Sequence, residues 1–270
     1  MFRRPRSRWI QRYLRQHFAH WQVSPRPERV EKISGKNILV LGIYLADRPN
    51  LTLHLVERFA QSQHMSVTQR WAALNGASDE PSVQAVTVLA PQAPVPKFSL
   101  LNKLLEGVNL EDYDAILVTD DDITLPLGFI DAYFAEQFHY NFALAQPARA
   151  WHSFYDHRFT LRRLMCRARQ THFVEIGPVF SFTAEVAPSL LPFNETSPMG
   201  WGYDFVWPVL VEQQGRRMGI IDSVSVDHSH REQGAAYSRG EQKRSMQTYL
   251  AAHSHLTPKE ARTTVKYFWR

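Results

Sequence analysis

Residues Asp114 to Thr119, DAILVT, form a short apolar strand pattern that runs straight into three consecutive acids, Asp120, Asp121 and Asp122. Adjacent carboxylates repel, so a chain that sets three of them at the end of a buried strand calls for a compensating cation. In extended backbone, alternate side chains point the same way. Residues 120 and 122 therefore share one side and residue 121 takes the other. Two carboxylates converging on one point suit a hard divalent ion, Mg2+ or Mn2+. The plainer reading is that Asp122 caps a following helix while its neighbours are solvated.

The triplet sits inside an alternation of strands and helices. Asn37 to Leu45, NILVLGIYL, is a continuous apolar run of the kind buried on both faces of a parallel sheet. Asp47-Arg48-Pro49-Asn50 ends it, and 51–61 reads as a helix. Strands are predicted over 65–71, 83–89 and 114–119, and helices over 97–108 and 126–138. This order predicts an α/β domain whose sheet is mostly parallel and flanked by helices, with ligands at the carboxyl ends of the strands. Further on, 173–182 (FVEIGPVFSF) reads as one strand or two, 200–214 as a Gly-Trp-Gly-Tyr-Asp turn opening a helix, and 218–221 as a strand. Helices are expected over 241–253 and 258–268.

Three further groups carry chemistry. Val226-Asp227-His228-Ser229-His230 offers an imidazole as third metal ligand, from His228 or His230 according to strand register; a His beside two carboxylates favours Mn2+. Asp204 in GWGYD is a candidate general base, or else a first-turn acid stabilised by the helix dipole. Lys97 and Asn102 bracket the start of a helix, where they either bind phosphate and ribose or are ordinary surface residues.

The 270 residues are 44% hydrophobic and 21% charged, ordinary for a globular domain. The single cysteine, Cys166, excludes an internal disulfide and a multi-cysteine zinc site. No run reaches the ~18 apolar residues of a membrane span, and MFRRPRSRWIQ lacks the apolar run of a signal peptide. The expectation is a cytoplasmic protein, free or peripheral on the cytoplasmic face of a membrane. Its positive charge is concentrated in an arm, where Arg3, Arg4, Arg6, Arg8, Arg12, Arg15, Arg26 and Arg29 face one acid, Glu28. Within that arm, 8–22 reads as an amphipathic helix with Ile10, Leu14, Phe18 and Trp21 on one face. Such a helix either lies in the headgroups of an anionic membrane or packs on its own domain.

Taken in order, DAILVTDDDI, FVEIGPVFSF, GWGYDF and GIIDSVSVDH resemble the GT-A glycosyltransferases, the nucleotide-diphospho-sugar transferase fold, and within them the family-2-like group. A closer likeness is to a GT-A-like domain family of unknown function found in plants and bacteria. The resemblance covers about 36–230 and divides the chain into a basic arm (1–33), a GT-A domain (34–235) and a C-terminal helical extension (236–270). It implies transfer of a sugar from a nucleotide-sugar donor to an acceptor hydroxyl, with inversion; the basic amphipathic arm suits a glycan or lipid-linked acceptor, as in cell-envelope polysaccharide or glycolipid synthesis. Asp120, Asp122 and His228 would hold Mn2+ or Mg2+, and Asp204 would be the base. Lys97, Asn102, Asp121 and Arg48 would contact the donor, and Trp201 and Glu175 the acceptor or sugar. The nucleotide-binding acid usual after the second strand has no counterpart near Val67-Thr68-Gln69-Arg70. A nucleotidyltransferase would need a glycine-rich loop where this chain has YLADRPN. A nucleic-acid-binding protein would use the arginine arm, but no nucleic-acid fold is recognisable behind it.

Overall fold

The computed structural model describes residues 8–231 and 239–269. Arg3, Arg4 and Arg6 of the arm, and the expected boundary at 235/236, lie outside the described residues. The helices are α1 (Arg8–Phe18), α2 (Thr52–Phe59), α3 (Pro81–Gln84), α4 (Lys97–Leu105), α5 (Phe129–His139), α6 (Ala187–Leu190), α7 (Tyr203–Gln213), α8 (Arg239–Ala252) and α9 (Pro258–Ala261). The strands are β1 (Asn37–Leu45), β2 (Ser66–Leu74), β3 (Thr87–Leu89), β4 (Ala115–Thr119), β5 (Phe142–Arg149), β6 (Cys166–Thr171), β7 (Val179–Thr183), β8 (Arg217–Val226) and β9 (Thr264–Trp269).

Among the described residues these strands form one sheet in the order β3-β2-β1-β4-β7-β5-β8-β6-β9. β3, β2, β1 and β4 pair in parallel, β7 runs against both β4 and β5, β5 and β8 are parallel, and β6 runs against β8 and β9. Only β7 and β6 therefore oppose the common direction, so the carboxyl ends of β1, β4, β5 and β8 gather on one edge. Helices α2 and α5 close one face over a core that includes Phe59, Phe129 and Trp71. Helices α4 and α7 close the other over Phe98, Phe182 and Trp207.

Apolar strands fold where the residue pattern places them. β1 is buried throughout its interior, and Gly42 within it makes room for Trp71, whose ring would lie 2.1 Å from an added Cβ. The expected strand over 83–89 instead splits into α3, opened by Pro81 at its first position, and β3. In the 173–182 segment only β7 is a strand; Gly177 (φ +140°) and Pro178, which has no N–H to give a ladder, leave 173–178 as a loop.

The C-terminal extension needs correction. The helix expected over 258–268 is the one-turn α9, fixed by a Thr257–Glu260 capping box, followed by strand β9, which pairs with β6. TVKYFW is β-branched and aromatic, a composition that suits a pleated edge better than a helix. β5 and β6 have no counterpart in the sequence-based expectation. The basic arm docks on the body: the Val23 N–H donates to the Leu127 carbonyl, and Arg29 is buried against Glu136.

Candidate active site

The candidate residues lie at the carboxyl ends of β4 and β8, on the edge of the sheet where open α/β sheets bind ligands in a crevice. The three acids of 120–122 leave the end of β4 in a bend and take different partners. Asp121 is buried and turns back towards β1, where its carboxylate accepts the Leu45 N–H at 2.8 Å and is held by Arg231. Burial raises its pKa, against the opposing effect of Arg231 and the Leu45 amide. It braces the end of β4 against β1.

Asp122 is brought to His228 by long-range pairing. Thr124 and Asp227 exchange backbone hydrogen bonds, which ties the loop after β4 to the end of β8. The Asp122 Oδ1 then lies 3.2 Å from His228 Nε2, and its Oδ2 3.5 Å from Arg231. Burial opposes ionisation of Asp122, but His228, Arg231 and Lys97 outweigh it and bring the pKa down to about 2. His228 is buried, with its backbone held by Ser153 Oγ and Phe154, whereas His230 is exposed. Of the two histidines, His228 is therefore the one that meets the triplet.

Asp120 is placed differently. It is about a third exposed, and its carboxylate pairs with Lys97 Nζ at 2.6 Å, beside the Gly177 backbone. Among the described residues no three His, Cys, Asp or Glu side chains stand together as a ready-made metal site. A divalent cation nonetheless fits the Asp122–His228 pair, because Asp122 Oδ1 is buried and has no hydrogen-bond partner. A carboxylate oxygen and an imidazole nitrogen 3.2 Å apart are both ligand types for a divalent ion.

Across the 173–178 loop stands a second acidic group. Arg149, at the end of β5, holds Glu175 at 2.8 Å and the Gly177 carbonyl at 2.6 Å. Asp204, in the first turn of α7 behind Gly202 (φ +98°), is pushed up to about 7 by burial and then by the Glu175 carboxylate. Asp156 is also raised, by burial first and then by Glu175. Trp201 is partly exposed, while Gly200 before it lies where a Cβ would enter the Phe98 ring. Arg48 pairs with Asp47 at 3.1 Å in the loop after β1.

Asn102 does not join these residues. Both ends of its amide bond the Phe193 backbone, at 2.9 and 2.8 Å, beside a separate apolar cavity of about 560 Å3 between α4 and α6. Arg149, Asp156 and Arg231 are charged residues of the site that sequence reasoning missed. Arg231 follows His228 by three residues, but spacing alone does not say that it folds back onto Asp121.

No family model and no curated protein matches the chain in sequence. Solved structures do match its fold. A structure of GalNAc-T7 with UDP, GalNAc and Mn2+ aligns over 87% of this chain and 54% of its own, at 10% identity and TM-score 0.54. This chain thus spans about half the length of that protein. Glucosyl-3-phosphoglycerate synthase from Mycobacterium tuberculosis, with Mg2+ and uridine-diphosphate, aligns over 86% of this chain and 84% of its own, at 13% identity and TM-score 0.53. The fold is the GT-A fold that the resemblance implied.

Proposed function

We propose that the protein is a metal-dependent glycosyltransferase, moving a sugar from a nucleotide-sugar to an acceptor hydroxyl with inversion. The observation that carries this reading is the buried Asp122 carboxylate 3.2 Å from His228 at the carboxyl ends of parallel strands. The two solved neighbours hold UDP and a divalent ion, so uridine donors are the first to test. Asp122 and His228 would hold Mn2+ or Mg2+, joined by Asp120 when a diphosphate draws Lys97 away from it. The bound ion supplies charge neutralisation for the departing diphosphate.

The chain's own groups do the rest. Lys97 places its ammonium on the diphosphate as negative charge develops there, and Arg48 contacts the donor from the loop after β1. Asp121 stays with Leu45 and Arg231, so its part is to hold the crevice open in the right shape. Asp204 accepts the proton of the acceptor hydroxyl as that oxygen attacks the anomeric carbon from the face opposite the diphosphate. A carboxyl near 7 is poised for that transfer around neutral pH. Glu175, fixed by Arg149, keeps Asp204 basic and offers the acceptor a hydrogen-bond partner. Trp201 gives the sugar a flat apolar face. The acceptor hydroxyl belongs to a glycan or a lipid-linked saccharide, as in envelope polysaccharide or glycolipid synthesis.

The test is release of UDP from a panel of UDP-sugars with and without Mn2+. Slow, Mn2+-dependent release that disappears in Asp122→Ala supports the reading. Asp204→Asn should lose transfer and keep nucleotide binding. Pyrophosphate released from a nucleoside triphosphate, with no turnover of nucleotide-sugars, would assign nucleotidyl transfer instead.

A further inference from the structure

The arm helix α1 is docked, yet its inner face accounts for only part of its apolar surface. Phe18 is buried, with its ring edge-on to His152 at 5.3 Å, and Arg15 lies over the Phe154 ring at 5.3 Å. Trp9, Ile10 and Tyr13 stay outside, with Trp9 74% exposed, and Trp21 beyond the helix is also exposed. Among the described residues no helix is long and apolar enough to cross a membrane.

A second exposed apolar group borders the first. Trp151, Leu164 and Met165 are all exposed, Leu164 by 67%. The Trp151 indole donates to the Arg162 carbonyl at 2.7 Å, and Arg162 lines one cleft with Phe18 and Trp21. Trp151, distant in sequence, is thus tied through Arg162 to the Phe18–Trp21 end of the arm.

The charge around them is mostly positive. Residues 8–27 hold four arginines and no acid, with Glu28 next to them paired to Arg26, and 157–169 hold five arginines, with Asp156 just before them. Two of the latter, Arg167 and Arg169, are engaged by Glu136 and Asp222. Arg12, Arg158 and Arg163 are exposed. Arginines flanking Trp, Tyr and Leu match a surface that is anionic at phosphate depth and apolar just beneath.

We propose that α1 with the 151 and 164–165 loops forms a docking face for an anionic phospholipid bilayer. The face adjoins the site: Ser153 Oγ accepts the His228 N–H at 2.8 Å, and His152 and Phe154 on either side carry α1. Resting on the glycosyl-transfer reading, this placement sets the site beside the headgroups and favours a lipid-borne acceptor hydroxyl.

Vesicle flotation of the full chain tests the proposal, with phosphatidylcholine alone and with phosphatidylcholine mixed with phosphatidylglycerol. The chain should float with the mixed vesicles, less as salt rises. Trp9→Ser with Tyr13→Ser, and separately Leu164→Ser with Met165→Ser, should each weaken partition at least about tenfold with the melting temperature unchanged. Arg12→Gln with Arg163→Gln should weaken it on the order of tenfold. No flotation with mixed vesicles by a cooperatively melting protein overturns the proposal. So does binding that is indifferent to the aromatic changes and competed away by DNA or RNA, which would make the arm a nucleic-acid surface. UDP release from a soluble donor without vesicles reports the site independently, so either reading can fail alone.

Discussion

The two halves of the sheet are held together by different forces. In the first, β1 and β4 bury apolar side chains almost end to end, and hydrophobic transfer, at about 25 cal/mol per Å2, contributes most of their stabilisation. The second buries charge. Arg169 of β6 and Asp222 of β8 meet at 2.8 Å with both side chains fully inaccessible, and Glu136 of α5 is clasped by Arg29 and Arg167. The candidate site lies on the seam, where Asp122 from the apolar half meets His228 from the charged half. An apolar half tolerates loss in proportion to volume, whereas a charged half depends on its partners remaining together.

The largest expected effect tests that contrast. Asp222→Leu strands the Arg169 guanidinium and should cost about 3–5 kcal/mol in urea denaturation. Adding Arg169→Met should recover part of the loss, short of all because the Phe159 and Leu161 carbonyls lose their donor. Leu117→Ala in β4 should cost about 2–5 kcal/mol, with no charge partner whose removal restores it. If the double variant is as unstable as Asp222→Leu, the charged half is not organised by that pair.

At the seam, Asp122→Ala should lower UDP release on the order of 100- to 1000-fold, and also lower the urea midpoint, because His228 and Arg231 lose their buried carboxylate partner. A variant that merely unfolds would contradict a functional role for the residue. Smaller again is Gly42→Ala. The added methyl meets the buried Trp71 ring, and a loss of about 1–3 kcal/mol is expected. An unchanged melting temperature would mean that β1 and β2 shift apart more readily than their packing implies.

The gentlest probe is pH. Asp204 has a folded pKa of about 7 against an ordinary 3.8, so folding takes up a proton between those values. The stability it contributes is fully present below about pH 4 and is lost as pH rises through 7. Asp204→Asn should flatten that decline in denaturation midpoints. Transfer by the parent protein should rise with pH through the same range as the base ionises; a rate falling through pH 7 would remove Asp204 from that role.

The same contrast decides what is legible in the sequence. β1 and β4 announce themselves as continuous apolar runs. β5 carries Pro147 and Arg149, and β6 reads CRARQT, so strands whose buried residues are charged or lack an N–H do not look like core. Residues 258–268 read as a helix because Lys266 and flanking polar residues mask an alternating edge strand. In the site, the acidic run after β4 is visible in sequence, but that Asp120 turns to Lys97 and Asp122 to His228 is dictated by no local pattern. The approach of His228 depends on the Thr124–Asp227 pairing between segments far apart in the chain, and Arg231 on a loop that returns to Asp121. Asn102 occupies a plausible position in sequence, but the Phe193 backbone claims its amide.

The most direct test of a cation-assisted donor site at Asp122 is a thermal-shift titration of nucleoside diphosphates, with and without Mn2+, on the full chain and on Asp122→Ala. A ligand that binds only the folded state raises the melting temperature by mass action. Stabilisation by one nucleoside diphosphate, dependent on Mn2+ and abolished by Asp122→Ala, is the expected result. A cooperatively melting protein that no nucleotide stabilises, or one stabilised equally without Mn2+ and in the variant, would contradict it.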